Sequence, residues 1–199
     1  MMPELVLASG SRIRGELLRN AGLRFAVDPA DVDERAIEDP LLKSGFSPAD
    51  IAQVLAEAKA QAVSERHPGA FVIGADQVLE FEGGRLTKPE DMEAARRQLL
   101  AMSGKRHELH SAVVVVRDGE TLWRHIGTVR LTMRPFSPAF VGRYLAQVGD
   151  AVLTSVGAYQ LEGPGVQLFE TIDGDYFSVL GLPLLSLLGR LREEGAIEA

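Results

Sequence analysis

The sequence predicts a mixed α/β fold. Three observations lead there. Strand-like and helix-like segments alternate along most of the 199 residues. Phe71-Val72-Ile73 is apolar at consecutive positions, as in a strand covered on both faces. Two long β-patterned runs flank Asp118-Gly119, a dipeptide that closes two-residue hairpins.

Each element follows from local chemistry. Glu4 to Ala8 is a short apolar strand. The small-residue turn Ser9-Gly10-Ser11 leads into a helix from Arg12 to Ala21, with Leu17 and Leu18 inward and Gly22 closing it. Leu23 to Val27 reads as a second strand. The acidic, Pro-containing stretch from Asp28 to Asp50 reads as the longest loop, suited to a lid or a partner contact. Ser47 as N-cap, Pro48 at the first helical position and Asp50 three residues after the cap open a helix to about Arg66.

Ala70 to Phe81 is a central strand, and Pro89 to Met102 an amphipathic helix. His107 to Arg117 and Thr121 to Arg134 form the hairpin; in its second strand Val129, Leu131 and Met133 alternate with Thr128, Arg130 and Thr132. Ser137-Pro138 opens a helix ending near Val148. Gly157 to Phe177 is Gly-rich with short strands, and Pro183 to Glu194 is a C-terminal helix.

Composition excludes several classes. With 46% hydrophobic residues the chain can bury a core without cross-links, as one large domain or two small lobes around a cleft. There is no cysteine, so disulfides and thiolate metal sites are ruled out, which fits a cytoplasmic protein. No basic region precedes the short apolar N-terminal run, so no signal peptide is expected. No stretch approaches the roughly eighteen apolar residues of a membrane span. The net charge of −7 disfavours a broad nucleic-acid surface but leaves room for a local phosphate pocket.

Four stretches can carry chemistry. Leu7 to Arg14, LASGSRIR, places a strand, a small-residue turn and a helix start in series. That arrangement fits an anion site built on the helix N-terminus, and equally an ordinary Ser-capped helix with solvated arginines. Asp76 ends an apolar strand and Lys88 follows a Gly-Gly turn. The pair suits metal or proton chemistry beside a phosphate, and suits a structural salt bridge as well. Asp33 and Glu34 lie in the acidic loop, while Lys59 stands four residues after Leu55 on an inward helix face. A lysine there can also snorkel to solvent. Glu162 and Asp175 sit among Gly157, Gly163, Gly165, Gly174 and Gly181, which serve close ligand approach or simple turns. His107 and His110 are three apart in a strand and His67 and His125 are isolated, so the histidines do not make a zinc site.

Together and in this order, these segments resemble the Maf family. The resemblance spans nearly the whole chain and rests on LASGSxxRxELL (7–18), VDE (32–34), KA (59–60), GADxV (74–78), KP (88–89), SGxxH (103–107), GAYxLxG (157–163) and GDYxxVxGLP (174–183). It implies a single Maf-like domain over residues 1–199, with a strongly curved mixed β-sheet flanked by helices and two lobes around a central cleft (Maf/ITPase-like). It implies a house-cleaning nucleoside triphosphate pyrophosphatase that uses Mg²⁺ or Mn²⁺ and can form a homodimer, with no nucleic-acid or membrane partner. By the same resemblance Ser9, Arg14, Lys59 and Lys88 bind phosphate, Glu34 and Asp76 hold the metal, and Asp76 is the catalytic acid/base.

Substrate choice is implied by departures from the pattern. Pyrimidine-directed members carry Ser-Pro-Arg-Arg, Asp-Thr and a glutamine where this chain has Ser11-Arg12-Ile13-Arg14, Asp76-Gln77 and Glu162. Ile13, Gln77 and Glu162 instead resemble the subgroup acting on 7-methyl-GTP. A carboxylate can accept hydrogen bonds from guanine N1–H and its amino group. Arg12 matches neither pattern. The alternatives are a dTTP/UTP pyrophosphatase and a non-catalytic nucleotide-binding regulator of cell division.

Overall fold

The computed structural model describes residues 4–198. Among them are strands β1 (Leu5–Leu7), β2 (Ala26–Val27), β3 (Phe71–Phe81), β4 (Gly84–Leu86), β5 (Arg106–Arg117), β6 (Glu120–Met133) and β7 (Phe169–Asp173). The helices are α1 (Arg12–Asn20), α2 (Glu34–Lys43), α3 (Pro48–Ser64), α4 (Met92–Met102), α5 (Pro138–Val148), α6 (Tyr176–Val179) and α7 (Leu184–Glu193). The strands form one seven-stranded mixed sheet in the order β2-β1-β3-β5-β6-β7, with β4 also paired to β3. β1 runs parallel to both β2 and β3, whereas β3–β4 and β6–β7 are antiparallel. No helix among the described residues is long and apolar enough to cross a membrane.

The chain divides into two compact units. The first contains the described residues up to Gln77, Ser111–Gly127 and those from Asp175 onward. Its core combines Val6 and Leu7 of β1, Leu18 of α1, Ile51 and Leu55 of α3, and Ile73 of β3, all fully buried. The second contains Val78–His110 and Thr128–Gly174. Its buried side chains include Leu79, Leu99, Met102, Val129, Leu131 and Met133, so the alternation expected along β6 is realised.

Local signals set most boundaries. The hairpin turns at Asp118 and Gly119, whose φ values of 49° and 77° are those a two-residue type I′ loop requires. α3 carries a complete capping box: Ser47 Oγ accepts from the Asp50 N–H, and Asp50 Oδ2 accepts from the Ser47 N–H.

Three expectations change. β2 is shorter than predicted because α1 ends in a Schellman motif: the Leu23 N–H donates to Leu18 O and the Gly22 N–H to Arg19 O, with Gly22 at φ 80°. The start of the predicted strand is thus spent closing a helix. The expected 28–50 loop contains α2, started by Asp33 Oδ1 accepting from the Ala36 N–H and continuing through Pro40. An internal proline and a largely exposed sequence hid that helix. The Gly-rich stretch expected to hold short strands folds mainly into 3₁₀ turns at Val156–Ala158 and Pro164–Leu168, with β7 as its one strand among the described residues.

One glycine fixes the distance between layers. A Cβ on Gly74 would lie 2.1 Å from Ala56 O and 2.8 Å from Ala60 Cβ, so α3 rests directly on the β3 backbone there. Gly74→Val is expected to lower unfolding stability by about 1–3 kcal/mol, the usual cost of overpacking. Urea denaturation measures it, and an unchanged midpoint would mean that the helix shifts freely.

Candidate active site

Just after β1, the Ala8 N–H donates to Ile73 O (2.9 Å) and keeps the following turn against β3. Ser9 is buried, and its Oγ accepts from the Ser11 N–H (3.3 Å) and from Arg14 Nη1 (3.0 Å). Ser11 Oγ in turn caps α1 by accepting from the Arg14 N–H. The expected turn therefore forms, but the Ser11 amide faces a serine oxygen, and the two hydroxyls order the start of α1.

Arg14 gains a fixed orientation from that arrangement. Its Nε donates to Gly181 O (2.8 Å), and its Nη1 donates to Ala75 O (2.9 Å) as well as to Ser9 Oγ. Gly181 has φ 93°, and a Cβ there would meet Arg14 Nε at 3.4 Å. A glycine thus suits both the backbone and the close guanidinium. Burial lowers the Arg14 pKa from its usual value, while Asp76 and Glu34 oppose that shift. Arginine remains a cation under such conditions.

Asp76 is 8% exposed, in β3. Its Oδ1 accepts from Lys59 Nζ at 2.6 Å, and the same ammonium lies 2.7 Å from Glu34 Oε1. Lys59 reaches this point because α3 sits on Gly74, two residues before Asp76. The lysine does not snorkel: only 12% of its side chain is exposed. Glu34 opens α2 with about half its side chain in solvent. Desolvation holds the Asp76 carboxyl above the ordinary carboxylate range, while Lys59 and then Arg14 pull it down.

Ser9, Arg14, Glu34, Lys59 and Asp76 thus come together within the first unit. Two carboxylates beside one ammonium supply hard oxygen donors of the kind Mg²⁺ and Mn²⁺ prefer, so Glu34 and Asp76 fit such an ion chemically.

Gln77 takes another position. Its Nε2 donates toward Ser111 Oγ (2.9 Å), Ser178 O (3.1 Å) and Val179 O (3.0 Å). That amide nitrogen fastens the chain before Gly181, while Ser111 Oγ also donates to Ser178 O (2.6 Å). Ile13, on α1, is partly exposed.

Lys88 and Glu162 belong to the second unit, and both are exposed. Near Glu162, burial first and the glutamate second push the Tyr144 hydroxyl up to about 12; it donates to Ala158 O. His107 and Tyr159 form a buried pair at 2.8 Å, and burial lowers His107 to about 4. Sequence reasoning missed the backbone acceptors Ala75 and Gly181, since carbonyls carry no residue signature. It also missed Ser111 as the companion of Gln77.

Comparison with known proteins places these residues in context. A family model described as "Maf-like protein" matches residues 4–194. The 7-methyl-GTP pyrophosphatase of Brucella suis biovar 1 (strain 1330) is 60% identical over 198 residues, covering 100% of both chains. The protein of the same name from Mesorhizobium japonicum is 59% identical, again over 100% of both. A nucleoside triphosphate pyrophosphatase of Paramagnetospirillum magneticum is 53% identical over 96% of this chain and 99% of its own. Among solved structures, the Staphylococcus aureus Ham1 protein aligns at 21% identity with a TM-score of 0.41, over 65% of this chain and 71% of that one.

Proposed function

The chain belongs to the Maf family of Maf-like proteins, and from that membership and the geometry around Asp76 we propose that it hydrolyses a nucleoside triphosphate to the monophosphate and pyrophosphate. The observation that carries this reading is the buried Asp76 carboxylate, paired with Lys59 at 2.6 Å and with the Arg14 cation beside it. A pure anion binder would gain nothing from a carboxylate among its cations. A hydrolase gains an oxygen that can take a proton from water.

Arg14 and Lys59 bind phosphate oxygens. Nε and Nη1 of Arg14 are committed to Gly181, Ala75 and Ser9, which aims the rest of the fork and limits the entropy lost on binding. Glu34 and Asp76 are the carboxylates that would hold Mg²⁺ or Mn²⁺, whose charge would offset that of the triphosphate. Asp76 orients a water and accepts its proton as the water oxygen attacks the α-phosphorus; the bond to the bridging oxygen breaks and pyrophosphate leaves. Most of the acceleration comes from positioning and charge neutralisation.

7-methyl-GTP is the proposed substrate. Glu162 supports it as an acceptor for guanine N1–H and the amino group, as do the relatives of that name. Ile13 and Gln77 are proposed to shape the same preference, Gln77 through the end of α6 that it fastens. Glu162→Gln is expected to move preference from guanine toward pyrimidine nucleotides. Ranking kcat/KM over a nucleotide panel measures it, and an unaltered ranking removes Glu162 from base selection.

The function itself is tested by pyrophosphate release from that panel with Mg²⁺ or Mn²⁺. Release, fastest from 7-methyl-GTP, is expected. Release fastest from dTTP or UTP would transfer the assignment to the pyrimidine-directed group. Tight nucleotide binding without release would favour the regulatory reading.

A further inference from the structure

We propose that Glu80, Glu108 and His110 form a binding site for one divalent transition-metal ion of the borderline class that includes Zn²⁺ and Co²⁺. All three lie in the second unit, whereas Glu34 and Asp76 lie in the first. Glu108 and His110 are two residues apart on β5 and so share a face, and Glu80 comes from the neighbouring β3.

Their ligand atoms all lie within 4.8 Å of one another. His110 Nε2 is 3.0 Å from Glu80 Oε2 and 4.0 Å from Glu108 Oε2. Ligands that each stand about 2.0–2.2 Å from a common ion are roughly 3–4 Å apart, so small side-chain shifts complete the geometry.

Outer groups orient two of the three ligands. His110 Nδ1 is hydrogen-bonded to Thr128 Oγ1 at 3.1 Å, which turns Nε2 toward the carboxylates. When Nδ1 carries the proton and donates it to Thr128, the Nε2 lone pair is free for a metal. Glu108 Oε1 accepts from Arg106 Nη2 (3.0 Å) and Arg130 Nε (3.3 Å), while Oε2 is the oxygen on the histidine side. The imidazole side chain is 7% exposed and the two carboxylates 33% and 29%, so the nitrogen is held rigidly while the oxygens stay open to an arriving ion.

The donor set selects the ion. Arg106 and Arg130 offset much of the carboxylate charge, which weakens any site that relies on charge alone, as Mg²⁺ and Ca²⁺ sites do. An imidazole nitrogen favours borderline ions instead. The rival arrangement is a plain imidazolium–carboxylate bridge with no ion.

Co²⁺ titration of the full chain in excess Mg²⁺, followed by visible absorption and equilibrium dialysis, separates the two. One Mg²⁺-resistant Co²⁺ per chain is expected. His110→Gln and Glu108→Gln, each shown to be folded by circular dichroism, should weaken Co²⁺ binding by at least about a hundredfold, and Thr128→Val by about tenfold. Asp76→Asn should retain it, which separates this site from the proposed catalytic ion. The proposal is overturned if the wild type holds no Mg²⁺-resistant Co²⁺, or if either folded ligand variant binds Co²⁺ as the wild type does. Should His110→Gln not fold, Glu108→Gln decides alone.

Discussion

Asp76→Asn is expected to lower kcat by at least about a hundredfold, the usual contribution of a general base, while the protein folds with an unchanged or higher Tm. The amide keeps the shape of the carboxylate but cannot accept a proton from water. The stability half follows from the direction of the pKa shift. Burial raises the folded-state pKa of Asp76 above its unfolded value. For a group shifted that way, the stability contribution is fully present below the unfolded pKa and is lost as pH rises through the folded one. At neutral pH the ionised carboxylate therefore weighs against folding, and a neutral isostere removes that burden while Lys59 keeps its ion pair with Glu34. Pyrophosphate release and a thermal melt check both halves. Full activity in the variant would unseat Asp76 as the base.

Lys59→Met is the second large effect, and its pH dependence is its signature. The lysine side chain is 12% exposed and Asp76's is 11%, so the variant leaves a nearly buried carboxylate with one less cation. Breaking a buried pair by removing one partner costs about 3–5 kcal/mol. Because Lys59 lowers the Asp76 pKa, its loss moves that pKa further up. Two consequences follow. The acid limb of log kcat shifts to higher pH, since more base is needed to ionise Asp76. The stability deficit shrinks as pH falls through the new pKa, because the protonated acid no longer needs a counter-charge. Urea midpoints between about pH 4 and pH 8 measure the second effect. A deficit of constant size across that range would mean that the lysine acts by packing alone.

Legibility from sequence followed the range of the interactions. The hairpin at Asp118-Gly119 and the Ser47–Asp50 capping box depend on adjacent residues, and both formed as read. The place of Lys59, four residues after Leu55, left an inward and a snorkelling lysine both open, and the structure leaves only 12% of its side chain exposed. Only the family resemblance grouped it with Glu34 and Asp76; spacing alone did not, because α2 runs through Pro40 and such a proline reads as a stop. Arg14 was visible as a cation after a turn. Its partners Ala75 O and Gly181 O are backbone atoms, 61 and 167 residues away along the chain. Strand alternation separates His107 from His110, and they meet different partners, Tyr159 and Glu80. The same reasoning could not see Glu80, because sheet neighbours leave no spacing pattern.

The two compact units are each assembled from separate stretches of chain, with boundaries at Gln77/Val78, His110/Ser111, Gly127/Thr128 and Gly174/Asp175. Three of those boundaries cut a long strand: β3, β5 and β6 in turn. Neither half can then be cloned as an uninterrupted gene fragment. A protease nick inside β3, β5 or β6 would injure both halves at once, and tolerated insertions should concentrate in exposed turns such as Glu82-Gly83, away from the four boundaries.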